Sequence, residues 1–261
     1  MGHNRLGRLP KTRRWVEVVE LLDTAPEQTS AVASAVVEAA DNRLRQLADD
    51  PALTYCFWLL TRITWAARGP GFLDDLSRLG IDAAPHSSAL TLISQVTDRV
   101  REELSSYPSS GHFAEISSLS LRHALSETVG QQGPSLFDSS VEDAQRAFRT
   151  YSTRAGFGEL AHRFFSDFLA RTLRSFVDRE LSNHIGGTSR LASVNQSLDF
   201  MQALDTHTRQ SARIAEEFAG GWYSKHNWES KGEIARDEAQ RFVANALRKL
   251  RTELKREAAG A

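Results

Sequence analysis

The stretch DPALTYCFWLLTRITWAAR, Asp50 to Arg68, decides the fold. Between Ala52 and Ala67 its only charged side chain is Arg62, while Phe57, Trp58 and Trp65 add aromatic bulk. A segment this apolar does not rest on a protein surface. It is also short for a bilayer, whose hydrocarbon core takes roughly 20 apolar residues to span. A helix that is apolar on nearly every side belongs at the centre of a bundle, so the other helices are expected to wrap around it. Asp50 supplies a carboxylate to cap the first amides, and Pro51 has the fixed φ that suits a first helical position. Gly69-Pro70-Gly71 ends the segment, because neither residue type sustains a helix.

Working outward, Val32, Val36, Val37, Ala40, Leu44 and Leu47 recur at helical spacing and predict a helix from about Ser30 to Ala48. An earlier helix is expected over Lys11 to Leu22, with Trp15, Val18, Val19 and Leu22 on one face. Downstream, Phe72 to Leu79 reads as a short helix closed by Gly80. Leu92, Ile93, Val96, Val100 and Leu104 place another over Ala89 to Tyr107, and His112 to Val129 forms the next. Ser140 with Asp143 has the pattern of a capping box opening a helix to about Tyr151. Phe157 to Ile185 predicts one helix of roughly 40 Å, at 1.5 Å per residue. Ser193 and Gln196 open a second, which the Gly220-Gly221 pair is expected to stop. Residues 157–185 and 193–219 should therefore form a long antiparallel hairpin. Trp222 to Gly232, WYSKHNWESKG, reads as an aromatic and basic loop before a last helix over Glu233 to Glu257.

No run alternates as strands would. The expected fold class is all-α: a bundle of about ten helices around the central apolar helix 50–68. Within one compact domain the chain divides into a basic N-terminal arm (1–14), an N-terminal helical subdomain (15–130), the hairpin (134–221, after the GQQGPS break) and the loop with the C-terminal helix (222–261).

The 261 residues are 41% hydrophobic and 25% charged, ordinary values for a soluble globular chain. A net charge of −1 gives no whole-protein attraction to nucleic acid or membrane. The one cysteine, Cys56, lies inside the most apolar helix and cannot form an internal disulfide, which suits a reducing compartment. The basic N-terminus is not followed by an apolar h-region, so no signal peptide is expected and the location is read as cytoplasmic. Arginine outnumbers lysine 27 to 5 among 32 basic residues, which suggests a GC-rich bacterial origin.

Local chemistry motifs are sparse. The chain has no phosphate-binding glycine loop, no dinucleotide fingerprint, no His-Glu-x-x-His and no Cys-x-x-Cys. Glu159 and His162 form one Glu-x-x-His element where a di-iron bundle needs two. Glu180 and His184 are four apart on the apolar face of the first long helix, so they read either as an acid–base pair or as a polar link in the core. Asp205, His207 and Ser211 have the residue types of a hydrolytic triad without its spacing or a nucleophile elbow. Glu180, His184, Asp205 and His207 are thus the catalytic candidates, and neither metal nor cofactor is expected.

The interaction candidates are the arm residues Arg5, Arg8, Lys11, Arg13 and Arg14, the loop residues Trp222, Tyr223, Lys225, His226 and Trp228, and Arg241, Arg248 and Arg251 on the last helix. They lead to a first reading as a non-catalytic binding or scaffold protein, a subunit of a larger bacterial cytoplasmic assembly that meets a protein partner or itself. One alternative is a nucleic-acid-binding accessory protein, with arginines on phosphates and rings on bases. The other is an enzyme or metal protein centred on Glu180 and His184. No membrane partner is expected.

Overall fold

The computed structural model describes residue 18 and residues 29–107, 111–131, 138–184 and 194–260. These hold α1 (Thr29–Gln46), a 3-10 turn (Leu47–Asp49), α2 (Pro51–Ala66), α3 (Phe72–Arg78), α4 (Ala89–Leu104), α5 (Gly111–Gly130), α6 (Val141–Thr150), α7 (Arg154–His184), α8 (Val194–Ser230) and α9 (Arg236–Gly260). The fold is all-α, with no strand among the described residues. A single bridge, Ser88 with Ser140, joins the residues that cap α4 and α6. The predicted helix over Lys11 to Leu22 lies outside the described residues, apart from Val18, which is helical and buried.

The start of α2 follows from its sequence. Asp50 Oδ1 accepts from the amides of Ala52 (2.9 Å) and Leu53 (3.0 Å), satisfying donors that the first helical turn leaves free. Leu53, Cys56, Phe57, Leu59 and Leu60 are completely removed from water. Phe57 stacks on Phe242 of α9 at 4.8 Å, with Phe157, Phe164 and Phe165 of α7 and Trp222 of α8 at 5.4 to 6.2 Å. One ring thus ties the apolar helix to three later helices, and the tilted and edge-on contacts suit aromatic quadrupoles.

The last helix is bound into this core through Phe242, Val243, Leu247, Leu250 and Leu254. Its polar side is anchored as well. Asp41 of α1, its side chain 3% exposed, takes Arg251 (2.8 Å) and Lys255 (3.2 Å) from α9 and Arg45 (2.8 Å) from its own helix. Burial alone would push the Asp41 carboxyl up, but hydrogen bonds and charge from Arg251 and Lys255 more than reverse this and hold it below the usual carboxylate range.

The α7–α8 pair forms the long hairpin, which is the most extensive helix contact. Its second arm departs from the sequence expectation. Gly220-Gly221 does not stop α8, which continues to Ser230, so 222–230 are helical rather than loop. The cause is tertiary. A Cβ at Gly220 would collide with the carbonyl oxygen of Arg154, so the glycine marks a close helix crossing. The actual stop comes at Lys231 (φ 52°) and Gly232 (φ 90°), and a Cβ at Gly232 would fall within the Trp65 indole. Among the described residues no helix is long and apolar enough to cross a membrane.

Candidate functional site

The first turns of α2 and α9 converge, and between them lies a recess of about 320 Å³ lined by Asp49, Pro51, Thr54, Tyr55, Tyr107, Arg236, Asp237 and Gln240. Three contacts fix its walls. The indole N–H of Trp58 donates to the carbonyl of Ile234 (2.8 Å), pinning the approach to α9 against α2. The Arg236 guanidinium lies over the rings of Tyr55 (4.8 Å) and Trp58 (4.7 Å). It also donates to Glu103 at 2.5 Å, and the same carboxylate accepts from Arg99 (2.9 Å) and the Tyr107 hydroxyl (3.0 Å). Burial works against the Glu103 charge, but the hydrogen bonds from Arg236 and Tyr107 outweigh it and hold the carboxyl below its ordinary range.

Two polar groups in this wall are left over. Thr54 is 8% exposed and Tyr55 2%, yet neither Thr54 Oγ1 nor the Tyr55 hydroxyl has a hydrogen-bond partner in the protein. A buried hydroxyl without a partner costs about 1–3 kcal/mol. Burial pushes the Tyr55 phenol up to about 12, which keeps it neutral at physiological pH, able to donate and accept but not to act as a phenolate.

The other candidates scatter. Asp205 pairs with Arg174 of α7, while His207 Nε2 meets the carbonyl of Leu254 on α9 at 3.1 Å. Asp205 and His207 therefore face different neighbours, and Ser211 donates to the His207 carbonyl (2.9 Å) rather than to its ring. The triad types are not assembled. The Glu180 and His184 side chains, and the arm residues Arg5, Arg8, Lys11, Arg13 and Arg14, lie outside the described residues. Glu159 pairs with Arg163, and His162 Nε2 contacts the Arg209 carbonyl (2.9 Å). Among the described residues no group of three or more His, Cys, Asp or Glu could hold a metal ion.

The aromatic stretch divides along its helix. Trp222 packs on Phe242 (4.4 Å), and Tyr223 is buried and stacked on Phe157 (3.9 Å), so both rings face the core. His226 stays beside Trp222, its Nδ1 meeting the Trp222 carbonyl (2.8 Å). Lys225 faces Glu229 at 3.9 Å, and Trp228 is 86% exposed. On α9, Arg241 pairs with Asp237 (2.9 Å), Arg248 donates to Asn245 (2.5 Å), and Arg251 is drawn onto Asp41.

The recess residues were not singled out from sequence. The available signal was Thr54 beside Tyr55 near the start of the most apolar helix. The partners Glu103 and Arg236 lie 133 residues apart and share no motif. Comparisons with known protein families, with curated proteins and with solved structures find no match.

Proposed function

We propose that this chain is a non-catalytic helical binding protein, a subunit or scaffold of a larger cytoplasmic assembly in a bacterium, and that the end of α8 around Trp228 is its contact point. The observation that carries this is the 86% exposure of Trp228; Leu90, at 37%, is the other exposed large hydrophobic residue among those described. Tryptophan is enriched among the few residues that dominate protein interfaces, where truncation costs about 2 kcal/mol or more. Trp228 is held on a helix that ends at Lys231 and Gly232, with Lys225 and Glu229 exposed beside it. A ring presented on a rigid helix loses little conformational freedom on docking.

The test is Trp228→Ala in the full chain. The ring is 86% exposed, so stability should change by no more than about 0.5 kcal/mol. Light scattering over a concentration series and co-purification from the native host should then show an assembly that the wild type forms and the variant lacks. Equal behaviour of the two proteins would remove the proposal. Tight DNA or RNA binding that weakens steeply with added salt would replace it with the nucleic-acid reading.

A further inference from the structure

We infer that the cleft where α5, α7 and α8 meet is a binding site for a phosphate group, either inorganic phosphate or the terminal phosphate of a small monoester whose remainder stays outside. This goes beyond the Trp228 surface and does not depend on it.

Three arginines and a histidine reach this cleft from three helices. Arg171 and Arg174 come from α7, Arg209 from α8 and His123 from α5, and Asp167 and Asp205 complete the ionisable lining. Both carboxylates are already taken. Asp167 accepts from Arg171 Nε at 2.6 Å, with His123 Nε2 3.9 Å from its other oxygen, and Asp205 accepts from one terminal nitrogen of Arg174. Arg209 is different: its guanidinium makes no hydrogen bond or ion pair with any described residue. Three guanidiniums against two carboxylates leave one positive charge in excess. An anion entering the cleft meets that charge, while a cation meets carboxylates that are already neutralised.

The donors that remain are within reach of a ligand. The Arg171 and Arg174 side chains are 38% and 43% exposed, and Arg209 is exposed. Because Arg171 is paired through Nε, both of its terminal nitrogens stay available, and Arg174 keeps the terminal nitrogen that Asp205 does not hold. Such forks match the oxygens of phosphate in pairs. The Ser166 and Thr208 hydroxyls donate to the carbonyls of Arg163 (3.1 Å) and Asp205 (2.9 Å), so the guanidiniums and His123 carry the binding.

Size and lining narrow the ligand. About 140 Å³ corresponds to roughly five water molecules at about 30 Å³ each. That admits one tetrahedral oxyanion and leaves no room for a nucleoside. No Trp, Tyr or Phe lines the cleft, so a base has nothing to stack on. A carboxylate holds its two oxygens in one plane, whereas phosphate spreads its acceptors in three dimensions and suits donors arriving from three helices.

The experiment is titration calorimetry with ¹H–¹⁵N spectra of the full chain against inorganic phosphate, glycerol 3-phosphate and acetate, at about 0.1 M ionic strength so that diffuse attraction is screened. One of the two phosphates should bind saturably, with Kd of about 1 mM or tighter, and shift resonances near 166–174 and 205–209. Tighter binding of glycerol 3-phosphate identifies a monoester, and tighter binding of inorganic phosphate identifies the free ion. Arg209→Gln removes the uncommitted charge from an exposed position and should weaken binding about tenfold. Arg78→Gln removes the same charge from α3, where the side chain is 77% exposed and lines no part of the cleft, and should bind as the wild type does. Thermal melts confirm that both variants are folded. The inference is overturned if neither phosphate binds saturably, if the shifts fall elsewhere, if Arg209→Gln binds as the wild type does, if Arg78→Gln loses as much, or if acetate binds as tightly as phosphate.

Discussion

Phe57 and Tyr55 are two residues apart on α2 and almost equally hidden from water, at 0% and 2% exposure, yet their surroundings differ in kind. Phe57 is enclosed by rings from α7, α8 and α9, and every contact it makes is one a hydrocarbon can satisfy. Tyr55 points toward the corner where α2 and α9 begin, among Arg99, Glu103 and Arg236, and its hydroxyl is unmatched. Equal burial therefore conceals two different roles. On one side the helix is a structural centre, and on the other it presents polar groups that packing alone has not consumed.

The largest expected effect breaks the dry side. Phe57→Ala leaves a cavity at the meeting point of four helices and should cost about 3–5 kcal/mol, the usual range for a buried phenylalanine. Chemical denaturation with a check on the m-value would measure it. A loss below about 1 kcal/mol would mean that the rings from α7, α8 and α9 do not depend on Phe57, and the contrast with Tyr55 would lose its basis.

A pair of glycine substitutions sharpens the same side, because Trp222 reaches Phe57 only if α8 runs on through Gly220-Gly221. Alanine is favoured over glycine in a helix interior by about 1 kcal/mol. At Gly221 the nearest atom to a new Cβ is a side-chain nitrogen of Arg154 at 3.7 Å, so Gly221→Ala should gain up to about that amount. At Gly220 the obstacle is the Arg154 backbone carbonyl, so Gly220→Ala should lose about 1–3 kcal/mol instead, as overpacking does. Opposite signs at adjacent residues, read from thermal melts, would establish the crossing. A gain at both would remove it.

That pair also shows why the sequence was legible in some places and not in others. Asp50-Pro51 and Ser140 with Asp143 acted as caps where they were predicted, because a cap is made by residues within one turn. Gly80, with φ 78°, likewise closed α3. Gly220-Gly221 carried the same local signal as a stop, but its meaning came from Arg154, far away in the chain, and one sequence does not show which helix passes close by. Tyr223 and Trp228 look alike in composition, yet they project from α8 in different directions, so one is stacked on Phe157 and the other stands in water. Reading 222–230 as loop hid that periodicity. The recess was illegible for a related reason, since Thr54 and Tyr55 become unusual only once α4 and α9 have brought Glu103 and Arg236 without supplying either hydroxyl with a partner.

The smallest effect bears on the polar side. Tyr55→Phe removes a buried hydroxyl that has no protein partner, so at neutral pH stability should rise by about 1 kcal/mol, the lower end of the cost of burying such a group. The difference should emerge in alkali. Burial raises the Tyr55 phenol from the ordinary 10.0 to about 12 and does the same to Tyr223, so both hold their protons more tightly in the folded chain than in the unfolded one. The stability linked to these groups is present in full below pH 10 and is lost as pH rises from there through about 12. Across that window the wild type should lose stability more steeply than Tyr55→Phe, which retains the share belonging to Tyr223, and denaturation midpoints measured at successive pH values would give both slopes. Parallel slopes would show that the Tyr55 hydroxyl already meets water freely. In that case the recess wall is as wet as the surface, and the contrast with Phe57 is one of shape alone.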